Sequence, residues 1–308
     1  MTKLREIGSG LYFPEGPVAM PDGSVILTEI GGRKVSRVYP DGKVSTVAEV
    51  GGGPNGAAIG PDGALYVCNN GGQNFSIVQG ITFPGDQSED YAGGSIQRVD
   101  LATGKFETLY THCGDLRLKS PNDLVFDRHG GFYFSDHGKM RHRDRDRGAV
   151  YYAKADGSSI AEVAFPMDGP NGVGLSPDGK TLYVAETWSR QFWAFAIEGP
   201  GKLGRDPKAL FAHGGKFMAG APGFRFFDSL AIDAEGFICI ASPGEGVISV
   251  YAPDGKLAEV VETGDPLLTN ICFGGPGLKT AYLTLAGTGR LVAMDWPRPG
   301  LPLAYLND

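Results

Sequence analysis

One pattern recurs six times along the 308 residues: a proline or small residue, an acid or amide, an apolar stretch, a tight turn and a second apolar stretch. The first copy reads Pro14-Glu15-Gly-Pro-Val-Ala-Met-Pro-Asp22-Gly23-Ser-Val-Ile-Leu-Thr-Glu29. Later copies open at Pro54-Asn55, Pro121-Asn122, Pro170-Asn171, Phe227-Asp228 and, more worn, Thr269-Asn270. Their second residues are separated by 40, 67, 49, 57 and 42 positions, the lengths of propeller blades with two insertions. Within each copy Asp-Gly or its equivalent joins two strand-like runs, a hairpin signal that predicts type I′ turns. Second hairpins lie between copies, clearest around Asp41-Gly42 and Asp254-Gly255. Two hairpins per repeat give four strands. The chain is therefore expected to be all-β: residues 1–308 form one six-bladed β-propeller with four antiparallel strands per blade. A strand near Leu4–Ile7 completes the last blade and closes the ring without an open edge. No helical periodicity of ten residues or more competes with this reading.

The 48 glycines and 21 prolines recur beside Asp and Asn, as turns do, and form no disordered tract. A net charge of −7 argues against a nucleic-acid backbone or an anionic membrane as partner. No apolar run has the length of a signal peptide or a membrane span. Cys68, Cys113, Cys239 and Cys272 are far apart and mostly within apolar segments, which suits free thiols in the cytoplasm, the expected location.

Aligned at their second residue, the six copies present Glu15, Asn55, Asn122, Asn171, Asp228 and Asn270. Each opens the innermost strand of its blade, so all six face one end of the central channel. Pro-Asn-Gly is also ordinary turn chemistry, but that does not account for Glu15 and Asp228, costly near an axis unless paired. An oxygen-only ring with two negative charges fits a hard dication. Its amide-rich, flexible donors suit Ca²⁺ better than Mg²⁺, with Mn²⁺ or Zn²⁺ as replacements in vitro.

These motifs, together with Phe13-Pro-Glu15-Gly-Pro, Asp228-Ser-Leu-Ala-Ile-Asp and Thr269-Asn-Ile-Cys-Phe-Gly-Gly, resemble the senescence marker protein/gluconolactonase/luciferin-regenerating enzyme family over nearly the whole chain. The resemblance implies one divalent metal at the channel end, with Glu15, Asn171 and Asp228 as core ligands. Asn122 is implied as a fourth ligand or substrate contact, and Asp228 as general base or nucleophile. Ser120 stands where some gluconolactonase-type members carry an arginine that contacts a polyhydroxylated lactone, which points away from a sugar-acid substrate.

A metal held by two carboxylates and two amides keeps open positions from which it polarises a lactone or ester carbonyl. The leading expectation is therefore a metal-dependent lactonase acting on a small lactone or ester, aromatic-derived ones included. Organophosphate triester hydrolysis at the same site is one alternative, and a non-catalytic binding platform with a structural ion is another. Asn55 and Asn270 are expected to orient water or substrate. His137 is a candidate acid or proton shuttle, and Trp188 a candidate wall of the substrate pocket. Two insertions are candidate lids: Gly71–Gly94, and Gly214–Phe227, whose Arg225 is a candidate contact for a substrate carboxylate. The charged run Lys139–Arg147 is expected to be a solvated, self-paired loop. Gly51-x-Gly53-x-x-Gly56 precedes a strand and holds Pro54, so it is not a dinucleotide site.

Overall fold

The computed structural model describes residues 4–307. Each repeat forms one antiparallel sheet, and the six sheets stand in a ring as the blades of a β-propeller. The innermost strands are Pro14–Ala19, Pro54–Ile59, Pro121–Phe126, Pro170–Leu175, Leu230–Ile232 and Leu268–Gly274. Each packs against the next, and the last returns to the first. Arg5–Ser9 pairs with Arg290–Asp295 as the outer strand of blade 6, so the N-terminal segment closes the ring as expected.

Strands alternate their side chains between faces, so each blade buries apolar rows against both neighbours. Tyr66, Phe126, Phe132 and Phe134 fill the space between blades 2 and 3, and Val125, Val173, Val184 and Trp193 that between blades 3 and 4. All four cysteines are free, Cys68 and Cys239 fully buried.

The hairpin turns depart from type I′. In the first, Gly23 N–H bonds Met20 O at 3.0 Å and Met20 N–H bonds Ser24 O at 2.8 Å. Only the glycine takes positive φ, 84° at Gly23; Asp22 does not. That is a turn across Pro21-Asp22 followed by a glycine bulge, repeated at Gly42, Gly63, Gly179 and Gly255. Proline explains the departure. Pro21, Pro40, Pro61, Pro177 and Pro253 fix negative φ at the first central position, where a type I′ turn needs the opposite sign.

The two long repeats have different insertions. In blade 2, Gln73–Val78 and Ile81–Gln87 form a separate hairpin between the second and third strands. It leans across the channel mouth: Thr82 N–H bonds Gly287 O at 2.9 Å in blade 6, and Gln87 N–H bonds Met140 O at 3.0 Å in blade 3. Phe75 packs between Tyr12 and Phe13, ring centroids 5.4 and 5.0 Å away. The second insertion is mostly blade, and of its residues only Phe226 reaches the channel mouth. Its Lys216–Gly220 pairs with Gln191–Ala194 as an outer strand of blade 4, beside the short Lys202–Leu203, which pairs with Ile197–Gly199.

Candidate active site

The acid or amide of the first four repeats sits at or beside a bulge. Strand pairing slips between Pro54 and Ala57, Pro121 and Leu124, and Pro170 and Val173, taking in Asn55, Asn122 and Asn171, and in blade 1 directly after Glu15, which pairs with Thr28. Such bulges re-aim a side chain out of the regular alternation, here toward the channel end. Neighbouring strands approach closely at this point. A Cβ on Gly16 would lie 2.3 Å from Asn55 O, and one on Gly56 would lie 2.5 Å from Asn122 O, so only glycine can follow those residues. Hydroxyls on adjacent strands pin the same carbonyls: Thr28 Oγ1 donates to Asn55 O at 2.5 Å and Ser135 Oγ to Asn171 O at 2.5 Å.

Glu15, Asn55, Asn122, Asn171 and Asp228 meet on the floor of a cavity of about 220 Å³ at this end of the channel. Its walls include Phe13, Ile30, Pro84, Met140, Trp188 and Phe226, with His137 and Lys139 among the polar side chains. The blade 2 hairpin contributes Gln73, Pro84 and Gln87, so this insertion does wall the site as expected of a lid. The floor is polar and the collar largely apolar.

The floor acids lie close enough to disturb one another. Burial pushes Glu15 up to about 7, against a hydrogen bond from Asn270 and with added repulsion from Asp123. Asp228 is held well above the carboxylate range by burial first and by the charge of Glu15 second, against a hydrogen bond from Asn171. Asp123, beside Asn122 in the chain, is likewise pushed up to about 7 by burial. At the same ring Asn55 Oδ1 and Asn122 Oδ1 are buried without a hydrogen-bond partner. Repelling carboxylates beside orphaned amide oxygens are a donor set with a positive charge missing, and they fit a hard cation. Among the described residues no three His, Cys, Asp or Glu side chains form a ligand cluster; a site here draws on two carboxylates and amide oxygens.

The acids and amide that end the second strands are engaged by main-chain donors. Glu29 accepts from Tyr12 N–H at 2.7 Å, and Asn69 from Gly53 N–H at 2.8 Å. Asp136 accepts from Lys119 and Ser120 N–H, each at 2.7 Å, and Glu186 from Asp168 N–H at 2.6 Å. Each ties down the loop leading into its own blade's first strand.

His137 lines the cavity, and Trp188 beside it meets its ring edge-on at 5.6 Å. Burial lowers His137 to about 4, so it is neutral near pH 7 and is no general acid there. Its Nδ1 lies 3.2 Å from Gly138 O. A carbonyl only accepts, so Nδ1 carries the proton and Nε2 is left as an acceptor. Asn270 does not line this cavity. Its Nδ2 donates to Glu15 Oε2 at 3.2 Å, and it borders a larger, about 400 Å³, cavity on the other side of the ring. Arg225 is also outside, paired with Glu245 at 2.6 Å, so the substrate-carboxylate role expected for it has no support in the geometry.

Sequence reasoning missed Lys139. The run that follows it is self-paired as expected, Arg141 with Asp144 and Asp146, and Arg145 reaches Asp168. Lys139 itself is 3% exposed and lines the cavity. The one available signal was its place three residues after Asp136, at the end of a strand that leads to the mouth.

Comparison with known proteins agrees with this architecture. The family described as the SMP-30/Gluconolactonase/LRE-like region matches residues 13–287. A gluconolactonase of Zymomonas mobilis is 27% identical over 92% of this chain and 79% of its own length. Lactonase drp35 of Staphylococcus haemolyticus is 28% identical over 77% of this chain and 65% of its own. A calcium-binding protein of Agrobacterium tumefaciens, regucalcin, superposes with a TM-score of 0.74 at 18% identity, covering 98% of each chain; it shares the six-bladed fold. The chain belongs to the SMP-30/gluconolactonase/LRE-like family.

Proposed function

We propose that this protein is a divalent-metal-dependent lactonase, with Glu15, Asn122, Asn171 and Asp228 holding the ion. The observation that carries the reading is the floor of the cavity, where mutually repelling Glu15 and Asp228 lie beside the unpartnered Asn122 Oδ1. The relatives named as a gluconolactonase and a lactonase support lactones as the substrate class. A dication bound at these oxygens, Ca²⁺ suiting the set best, supplies Lewis-acid polarisation of the ester carbonyl.

The chain's own groups do the rest. Asp228 is the half-buried member of the ring, the others being buried, and it borders the space a substrate fills. As general base it takes a proton from a water whose oxygen bonds to the carbonyl carbon. The ring C–O bond then breaks, the alkoxide regains a proton, and a hydroxy acid leaves. His137 Nε2 accepts a hydrogen bond from water or a substrate hydroxyl. Asn55, whose Oδ1 is free, orients the same groups. Trp188, Phe226 and Phe13 hold the apolar part of the substrate and exclude bulk water.

A panel of small lactones, with phosphotriesters alongside, tests this after chelation and after addition of Ca²⁺, Mg²⁺, Mn²⁺ or Zn²⁺. The expected result is lactone hydrolysis lost on chelation and restored by metal. Phosphotriester turnover exceeding lactone turnover by orders of magnitude overturns the substrate class. Full activity in the chelated enzyme overturns the metal.

A further inference from the structure

The cavity contains one cationic side chain that no ion pair among the described residues neutralises. Lys139 is the only lysine or arginine among its lining residues, and it is 3% exposed. Its Nζ donates to Gly72 O at 2.7 Å and to Asn70 Oδ1 at 3.3 Å, both neutral. It also stands 5.3 Å from the ring centroid of Tyr91. Among the described residues it makes no ion pair. The nearest carboxylates have other partners. Asp136 accepts main-chain N–H groups of Lys119, Ser120 and Gly138. Asp146 is held by both terminal nitrogens of Arg141, at 3.1 and 3.0 Å.

A buried ammonium without a counter-ion is expensive. If its task were only to join the loop at Gly72 to the loop at Gly138, a neutral amide would serve those acceptors without burying a charge. An ammonium has three donors, and two are accounted for. The loop that carries it is braced on both sides. Lys139 N–H bonds Asp146 Oδ2 at 3.1 Å and Asp146 N–H bonds Lys139 O at 3.0 Å. Next along the chain, Met140 O takes the N–H of Gln87 from the hairpin. The charge is thus held in place in the wall, not on a mobile side chain at the rim. Burial has pushed Lys139 down to about 7 in spite of the attraction of Asp136 and Asp146, so these carboxylates do not repay its desolvation.

We propose that Lys139 is an anion anchor in the cavity wall, and that the substrate is a lactone carrying a carboxylate in addition to its ring ester. This rests on the lactonase reading and adds the substrate class. The ester end lies over Glu15 and Asp228, the carboxylate is drawn to Lys139, and the apolar collar holds the part between them. Lys139 is a specificity-determining residue in this arrangement and takes no part in bond breaking.

The test compares 5-oxotetrahydrofuran-2-carboxylate with γ-valerolactone, in which a methyl group replaces the carboxylate. For the wild type, kcat/KM is expected to favour the carboxylated lactone at least tenfold. In Lys139→Met that ratio falls to near one, chiefly through KM, while Lys139→Arg retains part of it. Lys139→Gln, which keeps a donor for Gly72 O, is expected to lose the ratio as Lys139→Met does. A wild type without preference overturns the proposal, as does a Lys139→Met variant that slows both substrates equally. Calorimetric binding of tetrahydrofuran-2-carboxylate to metal-loaded wild type and Lys139→Gln separates the two readings. Binding at least tenfold weaker in the variant, with neither lactone hydrolysed by the wild type, supports the anchor and overturns the lactonase. Equal binding to both proteins overturns the anchor.

Discussion

Two sets of acids stand in the blades of this propeller and behave differently. Glu29, Asp136 and Glu186, at the ends of second strands, each receive main-chain N–H groups from the loop entering their own blade. Glu186 additionally takes Ser189 Oγ at 2.5 Å and Trp193 Nε1 at 2.8 Å. Glu15 and Asp228, at the starts of first strands, face each other, and the charge of one raises the other. The first set is satisfied by the fold; in the second, hydrogen bonds from Asn270 and Asn171 leave the repulsion between the acids in place. A buried acid is therefore no sign of function by itself. What marks the site is the repulsion that persists between its acids together with the orphaned oxygens of Asn55 and Asn122.

Exchanging charge in the two sets should give opposite outcomes. Asp228→Asn is expected to lower lactone turnover by about a hundredfold to a thousandfold, the scale of losing one group that stabilises reacting charge. In chelated protein its melting temperature should equal or exceed the wild type's, because the substitution removes a repulsion. Glu186→Gln should do the reverse. Activity per folded molecule stays within about threefold of wild type, while stability drops by about 1–3 kcal/mol as N–H groups lose a charged acceptor. Thermal melts and turnover on the same samples check both. A Glu186→Gln protein as inactive as Asp228→Asn erases the distinction.

A pH series sharpens it. Glu15 is raised in the folded chain to about 7, above the roughly 4.3 of an unfolded glutamate, and Asp228 is raised in the same direction. The folded state thus binds protons more tightly than the unfolded state. The stability this gives is fully present below the unfolded pKa and is lost as pH rises through the folded one. Chelated protein should therefore melt progressively lower from pH 5 to pH 8. Saturating Ca²⁺ should flatten or reverse that slope, because the ion binds the deprotonated ring. A flat profile in chelator contradicts the repulsion. The smallest effect is expected at the lid. Phe75→Ala, which frees the hairpin from Tyr12 and Phe13, should cost about 1–2 kcal/mol and raise KM several-fold with kcat largely kept.

The ring was legible in the sequence because the repeat fixes it. Six copies in register place five of their six second residues at one end of one channel, and a carboxylate where asparagine recurs stands out. The turn type was legible too, but in the proline before each Asp-Gly and not in the Asp-Gly itself. What lay beyond reach depends on contacts between repeats. Arg225 and Lys139 are both basic residues near strand ends. Only the fold shows that Arg225 is engaged by Glu245, 20 residues on, while Lys139 turns inward between two loops. Asn270 keeps the repeat position, yet it supports Glu15 from the far side of the ring. The hairpin's span from blade 2 to blades 3 and 6 has no sequence signature, since main-chain bonds make it.

The central claim is that the floor of the channel mouth is a dication site built on Glu15, Asn122, Asn171 and Asp228. Calorimetric titration of Ca²⁺ into chelator-treated protein, wild type and Asp228→Ala side by side in buffers of different ionisation enthalpy, tests it most directly. The account predicts one site per chain in the wild type, release of protons on binding at pH 6, and loss of binding in the variant. No binding to the wild type, or equal binding to both proteins, would contradict it.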